Sequence, residues 1–164
     1  MWGCGGRDET DKEKIMIKVI CGGGRNERWV EDVVREYGKR MGRYWQVEWR
    51  VVAEEKLYKV FEELTDGNRW KNVQKPYVVL LDERGKMLDS PGLGKMLGEK
   101  VEMGRDVVFV IGGAYGFGEE DRNRVDLVWS LSALVFPHQM CRAILAEQIY
   151  RAQEIYLGRP YHHE

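Results

Sequence analysis

Five short apolar runs, each cut off by glycine, proline or a charged turn, alternate along this chain with stretches whose apolar residues recur at helical spacing. That alternation constrains the fold more than any other feature, because strands separated by helices pair in parallel. The runs are Ile15 to Ile20, Gln46 to Val52, Tyr77 to Leu81, Val107 to Ile111 and Ser130 to Phe136. The first is a short apolar run of the kind a buried strand uses, whereas Gln46 to Val52 alternates Val47, Trp49 and Val51 against Glu48 and Arg50. Helical spacing appears from Glu27 to Met41, at Leu57, Val60, Phe61 and Leu64, and from His138 to Leu157, where Gly158 stops it. Ser90-Pro91 has the form of an N-cap followed by proline at the first helical position, opening a helix weakened by Gly92, Gly94 and Gly98. A charged stretch from Glu119 to Val128 is expected to be helical as well. The expectation is one α/β domain over residues 15–164, with a largely parallel sheet of about five strands.

At 164 residues the chain is long enough to bury its own core without staples. Its net charge of -1 argues against general, charge-driven binding to nucleic acid, though not against a structured RNA met by a local basic surface. Three cysteines, Cys4, Cys21 and Cys141, are too far apart for a metal motif and suit a reducing compartment. His138, His162 and His163 form no cluster with them, so no metal site is expected. No apolar run approaches the roughly 20 residues of a membrane span. Residues 1–14 are glycine-rich, then charged, with no apolar leader core, and read as a disordered extension. A cytoplasmic setting follows as the expectation.

Candidate chemistry concentrates in the last third. Gly112-Gly113-Ala114-Tyr115-Gly116 follows a buried strand, where glycines let a ligand approach the main chain; a plain strand-to-helix turn is the alternative. Ser130 and Ser132 interrupt an apolar run, either as a ligand wall or as hydroxyls satisfied by local backbone. His138 and Arg142 lie four apart at the start of the last helix and share a face. They are candidates for substrate contact or catalysis, against the plainer readings of helix cap and surface group. The tail Tyr161-His162-His163-Glu164 is either frayed or functional. Gly22-Gly23-Gly24 lacks the spacing of a dinucleotide loop and reads as a flexible turn.

From Tyr77 onward the residues resemble the RlmH family of large-subunit ribosomal RNA pseudouridine methyltransferases, within the SPOUT (alpha/beta-knot) superfamily. The resemblance is carried by Leu80-Leu81-Asp82 with Gly85-Lys86, by Gly104-Arg105-Asp106, and by Phe109-Val110-Ile111-Gly112-Gly113 with Gly116. It continues through Trp129-Ser130-Leu131-Ser132-Ala133-Leu134, Phe136-Pro137-His138, Arg142, Ala146-Glu147-Gln148, Tyr150-Arg151-Ala152 and Pro160-Tyr161-His162. Glu36-Tyr37 and Lys39-Arg40-Met41 carry a weaker match. Two departures stand out: the addition at residues 1–14, and a shortened segment between Val52 and Tyr77 without the family's lysine-rich stretch.

The resemblance implies a SPOUT-type alpha/beta knot with helices on both faces of the sheet and a C-terminal trefoil knot. It implies S-adenosyl-L-methionine as methyl donor, a homodimer through the last helix, and methylation at N3 of a pseudouridine in a hairpin loop of large-subunit RNA within the ribosome. Leu81, Gly112, Gly113, Gly116 and the stretch Leu131, Ser132, Ala133, Leu134, Val135, Phe136 would then hold the donor. Arg142 would neutralise a phosphate or developing charge, His138 or His162 would accept the proton, and Tyr161 would orient the base. Arg122, Arg124 and Arg151 are candidates for a ribosome-facing surface. A knotted RNA-binding protein without catalysis and an adenosine-ligand sensor are the rival readings.

Overall fold

The structure is a computed structural model that describes residues 16–113 and 116–163. The expected extension at residues 1–14 therefore lies outside the described residues, as do Ile15, Ala114, Tyr115 and Glu164. Ten elements follow one another: β1 (Met16–Gly22), α1 (Arg28–Met41), β2 (Gln46–Val52), α2 (Glu54–Thr65), β3 (Tyr77–Met87), α3 (Ser90–Glu102), β4 (Val107–Ile111), α4 (Glu119–Arg122), β5 (Leu127–Ser130) and α5 (His138–Tyr156). The sheet has the order β2-β1-β4-β3-β5, with every neighbouring pair parallel.

Burial follows sheet position. Every residue of the central β4 is buried, so its Val-Val-Phe-Val-Ile sequence has no polar face to show. The edge strand β2 keeps its alternation, half-burying Val47, Trp49 and Val51 while Glu48 and Arg50 face solvent. One core forms where α1, α3 and α5 cover the sheet, joining Met41, Leu93, Leu97, Leu145 and Ile149 to Val19, Val79 and Phe109. On the opposite face α2 contributes Leu57, Phe61 and Leu64 against Ile20, Val78, Leu80 and Val110. Helix α5 packs against both α1 and α3. Gly94 and Gly98 of α3, which cost that helix propensity, are what let α5 come close: a Cβ at Gly98 would sit 2.5 Å from Tyr156 Cδ2.

Four sequence expectations are corrected. Strand β5 ends at Ser130, not Phe136, because Ser130 Oγ donates to the Ser132 carbonyl (2.7 Å) and Leu134 N–H to Ser132 Oγ (3.0 Å). These local bonds turn the backbone out of the ladder. Strand β3 does not stop at Asp82 but resumes to Met87 after a bulge, with Leu81 and Lys86 both opposite Trp129. The charged helix covers only Glu119–Arg122, since Asp126 already pairs with β3 through its N–H to the Val78 carbonyl (3.0 Å). The N-cap of α3 is Asp89, whose carboxylate accepts from Gly92 N–H at 2.7 Å, leaving Ser90 as the first helical residue.

Gly85 closes the β3 bulge against β5. A Cβ there would meet the Val128 carbonyl oxygen at 2.5 Å and Trp129 N at 2.7 Å, both main-chain atoms with no rotamer to move. Gly85→Ala is therefore expected to lower unfolding free energy in denaturant by about 3 kcal/mol, at the upper end of overpacking costs. Gly67→Ala, where nothing lies within 4 Å, should change it by less than about 0.5 kcal/mol.

Candidate active site

Because the sheet is parallel, the carboxyl ends of β1, β3, β4 and β5 share one edge, the usual place for a ligand in an open α/β sheet. A crevice of about 400 Å³ lies there, within the size range of small-molecule sites. Three segments wall it: the bulge after Leu81, the glycine turn after Ile111, and the segment Ser130 to Phe136 leading to His138. The serine bonds that end β5 also shape this last wall, fixing Leu131 to Leu134 as a compact turn with main-chain groups unspent on the sheet.

The rim is tied by charge. Arg122 Nη1 donates to the Phe117 carbonyl (2.8 Å) and pairs with Asp82 Oδ2 (3.4 Å), while Asp82 Oδ1 accepts from Arg84 N–H (2.9 Å). This clasp joins the β3 bulge to the loop after β4, across forty residues of sequence. On the far side of the glycine turn, Glu54 opens α2 so close that a Cβ on Gly113 would lie 2.4 Å from its carboxylate oxygen. A larger residue at 113 would first have to displace the Glu54 carboxylate. Buried Trp129 lines the crevice, and its indole N–H has no partner among the described residues.

The candidate residues divide into two groups. Leu81, Gly112, Gly113, Gly116, Leu131, Ser132, Leu134, Val135, Phe136 and His138 all line the crevice. Ala133 is exposed within the same turn and is not part of the lining. Arg142 points elsewhere. Fully buried, it donates from Nη2 to the Gly22 carbonyl (3.0 Å) and from Nη1 to the Gly24 carbonyl (3.0 Å) and Asn26 Oδ1 (2.9 Å). It acts on the loop after β1, not on a ligand in the crevice.

Tyr161 and His162 fold back on the far half of α5. Tyr161 Oη donates to Glu147 Oε1 (3.2 Å), and Arg151 Nη1 lies 3.2 Å from His162 Nδ1. Burial, with a hydrogen bond to Tyr37 and the nearby Glu147 carboxylate, drives the Tyr161 hydroxyl well above the ordinary phenol range. Arg151 is thirteen residues from His138 along the helix, roughly 20 Å at 1.5 Å per residue. Within one chain the tail does not reach the crevice. Arg122, Arg124 and Arg151, the arginines expected to face a ribosome, are engaged internally with Asp82, Asp121 and Glu147.

A family model described as "Predicted SPOUT methyltransferase" matches residues 15–162. The chain belongs to the SPOUT methyltransferase family. Within it, this sequence falls among relatives named ribosomal RNA large subunit methyltransferase H. The protein of that name from Desulfitobacterium hafniense (strain DSM 10664 / DCB-2) is 37% identical, covering 90% of this chain and 99% of its own. That from Geobacter metallireducens is 40% identical, covering 91% and 99%. A methylase family protein from Neisseria gonorrhoeae, solved by crystallography, aligns at 10% identity with a TM-score of 0.48, over 88% of this chain and 85% of that one. Among the described residues of this SPOUT chain, no group of three or more histidines, cysteines or acids could hold a metal, and no helix is long and apolar enough to cross a membrane.

Sequence reasoning missed the Asp82–Arg122 clasp, the Glu54 contact and the true direction of Arg142. Nothing in a one-dimensional pattern links positions so far apart. Arg142 has a further consequence for Cys21, its neighbour on β1. Burial pushes the Cys21 thiol up to about 11, and the guanidinium offsets only part of that rise. A thiol held neutral by folding adds stability that is complete below its unfolded pKa near 9 and is lost as pH rises towards 11. We expect unfolding free energy to fall by about 2 to 3 kcal/mol across that window, and Cys21→Ala to remove that part of the fall.

Proposed function

We propose that this protein transfers a methyl group from S-adenosyl-L-methionine to N3 of a pseudouridine in a hairpin loop of large-subunit ribosomal RNA, within the ribosome. The reading rests on one observation above the others: a crevice at the carboxyl edge of the sheet lined by glycines, serines and apolar residues, with one imidazole among them. The lining suits the donor. Leu81, Ile111, Phe117 and Phe136 offer apolar surface for a purine, the Ser130 to Phe136 turn offers main-chain donors and acceptors, and Asp82 and Glu83 offer carboxylates for an ammonium group. The unpartnered Trp129 N–H, buried behind them, is a further donor awaiting an acceptor.

When bound, the donor supplies a methyl group made electrophilic by a sulfonium. The protein's part is positioning, exclusion of water and removal of a proton. The glycine turn at Gly112 and Gly113 lets a ligand lie against the backbone, and the Asp82–Arg122 clasp keeps the opposite rim from opening. The N3–H of a uracil-like ring must lose its proton to become a nucleophile. His138, half-buried and lining the crevice, is the group in this chain best placed to take it. Arg142 is a positioning residue that holds the loop bordering Gly113.

A homodimer completes the reading. Leu134 and Val135, 69% and 78% exposed, and Met140 form an apolar rim at the crevice and the start of α5. A second copy seated there would cover them and bring its own Tyr161 and His162 towards the target base. The C-terminal trefoil knot and a cytoplasmic setting belong to the same proposal.

The test is mass spectrometry of large-subunit RNA from bacteria lacking their own pseudouridine N3-methyltransferase. Complementation with the wild-type chain should restore the methylated nucleoside. His138→Ala should lower the rate of restoration by about a hundredfold or more while leaving donor uptake intact by calorimetry. Ribosome association without methylation would instead identify a non-catalytic RNA-binding protein, and donor uptake without any RNA dependence a sensor.

A further inference from the structure

The glycine run Gly22-Gly23-Gly24 is a sequence motif that methyl transfer leaves without a task. In the structure it is not a slack turn. Arg142 holds it from below through the Gly22 and Gly24 carbonyls and Asn26 Oδ1. Gln139, also on α5, donates from Nε2 to the Arg25 carbonyl (2.9 Å) and accepts from Glu27 N–H through Oε1 (3.1 Å). Gly23 N–H donates to the Val52 carbonyl (3.0 Å), and Gly23 adopts φ +105°, which strains any other residue. Six hydrogen bonds from two elements thus fix a segment of six residues, Gly22 to Glu27.

What this segment displays is cationic and aromatic. Arg25, Arg28 and Trp29 are all exposed. Among the described residues neither guanidinium is in an ion pair, in contrast to Arg122, Arg124 and Arg151. The indole of Trp29 is 42% exposed, yet its N–H is pinned to Glu27 Oε2 at 2.6 Å, so the ring is presented with its rotation already restricted. A fixed aromatic face flanked by free guanidiniums is what stacks an unpaired base and takes the phosphates beside it. The position agrees: an ideal Cβ on Gly22 would lie 3.4 Å from Gly113 N, so the loop abuts the glycine wall of the methyl-transfer crevice.

We infer that Arg25, Arg28 and Trp29 form a contact site for single-stranded RNA, gripping the substrate hairpin loop beside its modified nucleotide. Arg25 and Arg28 take backbone phosphates, and the Trp29 ring stacks on an unpaired base. This deepens the functional reading above and rests on it. It would also reconcile RNA binding with a net charge of -1, since two exposed arginines outside any ion pair among the described residues matter more at the site than the total.

The test uses full-length protein and purified assembled ribosomes lacking the methyl mark, with affinity measured across a range of salt. In the double variant Arg25→Gln/Arg28→Gln the slope of log affinity against log salt should shrink by about 1.4, the value for two lost single-strand phosphate contacts. Trp29→Ala should weaken binding about tenfold, and Trp29→Phe should recover most of the loss, as a stacking role requires and a merely structural one does not. Donor uptake by calorimetry and dimer mass by light scattering should match wild type. Unchanged affinity and salt slope in the variants, with wild type binding normally, would overturn the inference. So would loss of the dimer in the variants, which would make the loop a contact between copies. If wild type itself neither binds ribosomes nor methylates them, the functional reading fails, and the loop's role fails with it.

Discussion

A guanidinium with no exposure to solvent and no carboxylate among the described residues to neutralise it is a demanding thing to build, and in this chain it sits where α5 meets the end of β1. Stripping such an ion of water costs several kcal/mol, which fixed dipoles must recover. Here two carbonyl oxygens and one side-chain amide oxygen do so, all from residues 22–26. The arrangement works only if α5 returns across the sheet at the right height and the loop after β1 turns inward to meet it. Arg142 therefore couples the last helix to the first strand. The loop after β1, which borders Gly113 of the crevice, inherits its position from that coupling.

The same logic runs around the rest of the carboxyl edge. Each wall is held by a specific contact, two joining distant segments (Asp82 with Arg122, Glu54 against Gly113) and one local, Ser130 with Ser132 at the strand end. None of these lies in the apolar core, which would form from its Val, Ile and Leu pattern without them. They take a generic parallel sheet and give its open end one particular contour. A ligand bound largely through main chain needs that, because main-chain groups cannot adjust by changing rotamer.

How much of this could be read from residues alone follows from the range of the forces involved. Strands β2 and β4 and the helices α1 and α5 were legible, since alternation and helical spacing are local signals and α5 stops at Gly158 with φ +66°. The glycines, serines and His138 of the crevice were legible as a group because they cluster within thirty residues. The end of β5 was not, because two serine side chains outcompete the ladder over a span that looks uniformly apolar. Arg142 was legible as important but not in its direction: spacing places it on a face shared with His138, while its partners lie some 120 residues earlier. The SPOUT relationship supplied what periodicity could not, namely which of many α/β arrangements this edge belongs to.

One small dimension has a large reach. A single residue, Ala53, separates β2 from α2, so the helix begins with no slack and delivers Glu54 directly onto the glycine wall. That tether keeps Glu54 against residue 113, where any added bulk must first push its carboxylate aside. Lengthening the connection by even a few residues would relax the helix start, withdraw the acid and free the position to vary. The room at one wall position thereby depends on the length of a linker sixty positions upstream, a dependence that would surface as epistasis between an insertion and a point substitution that share no sequence neighbourhood.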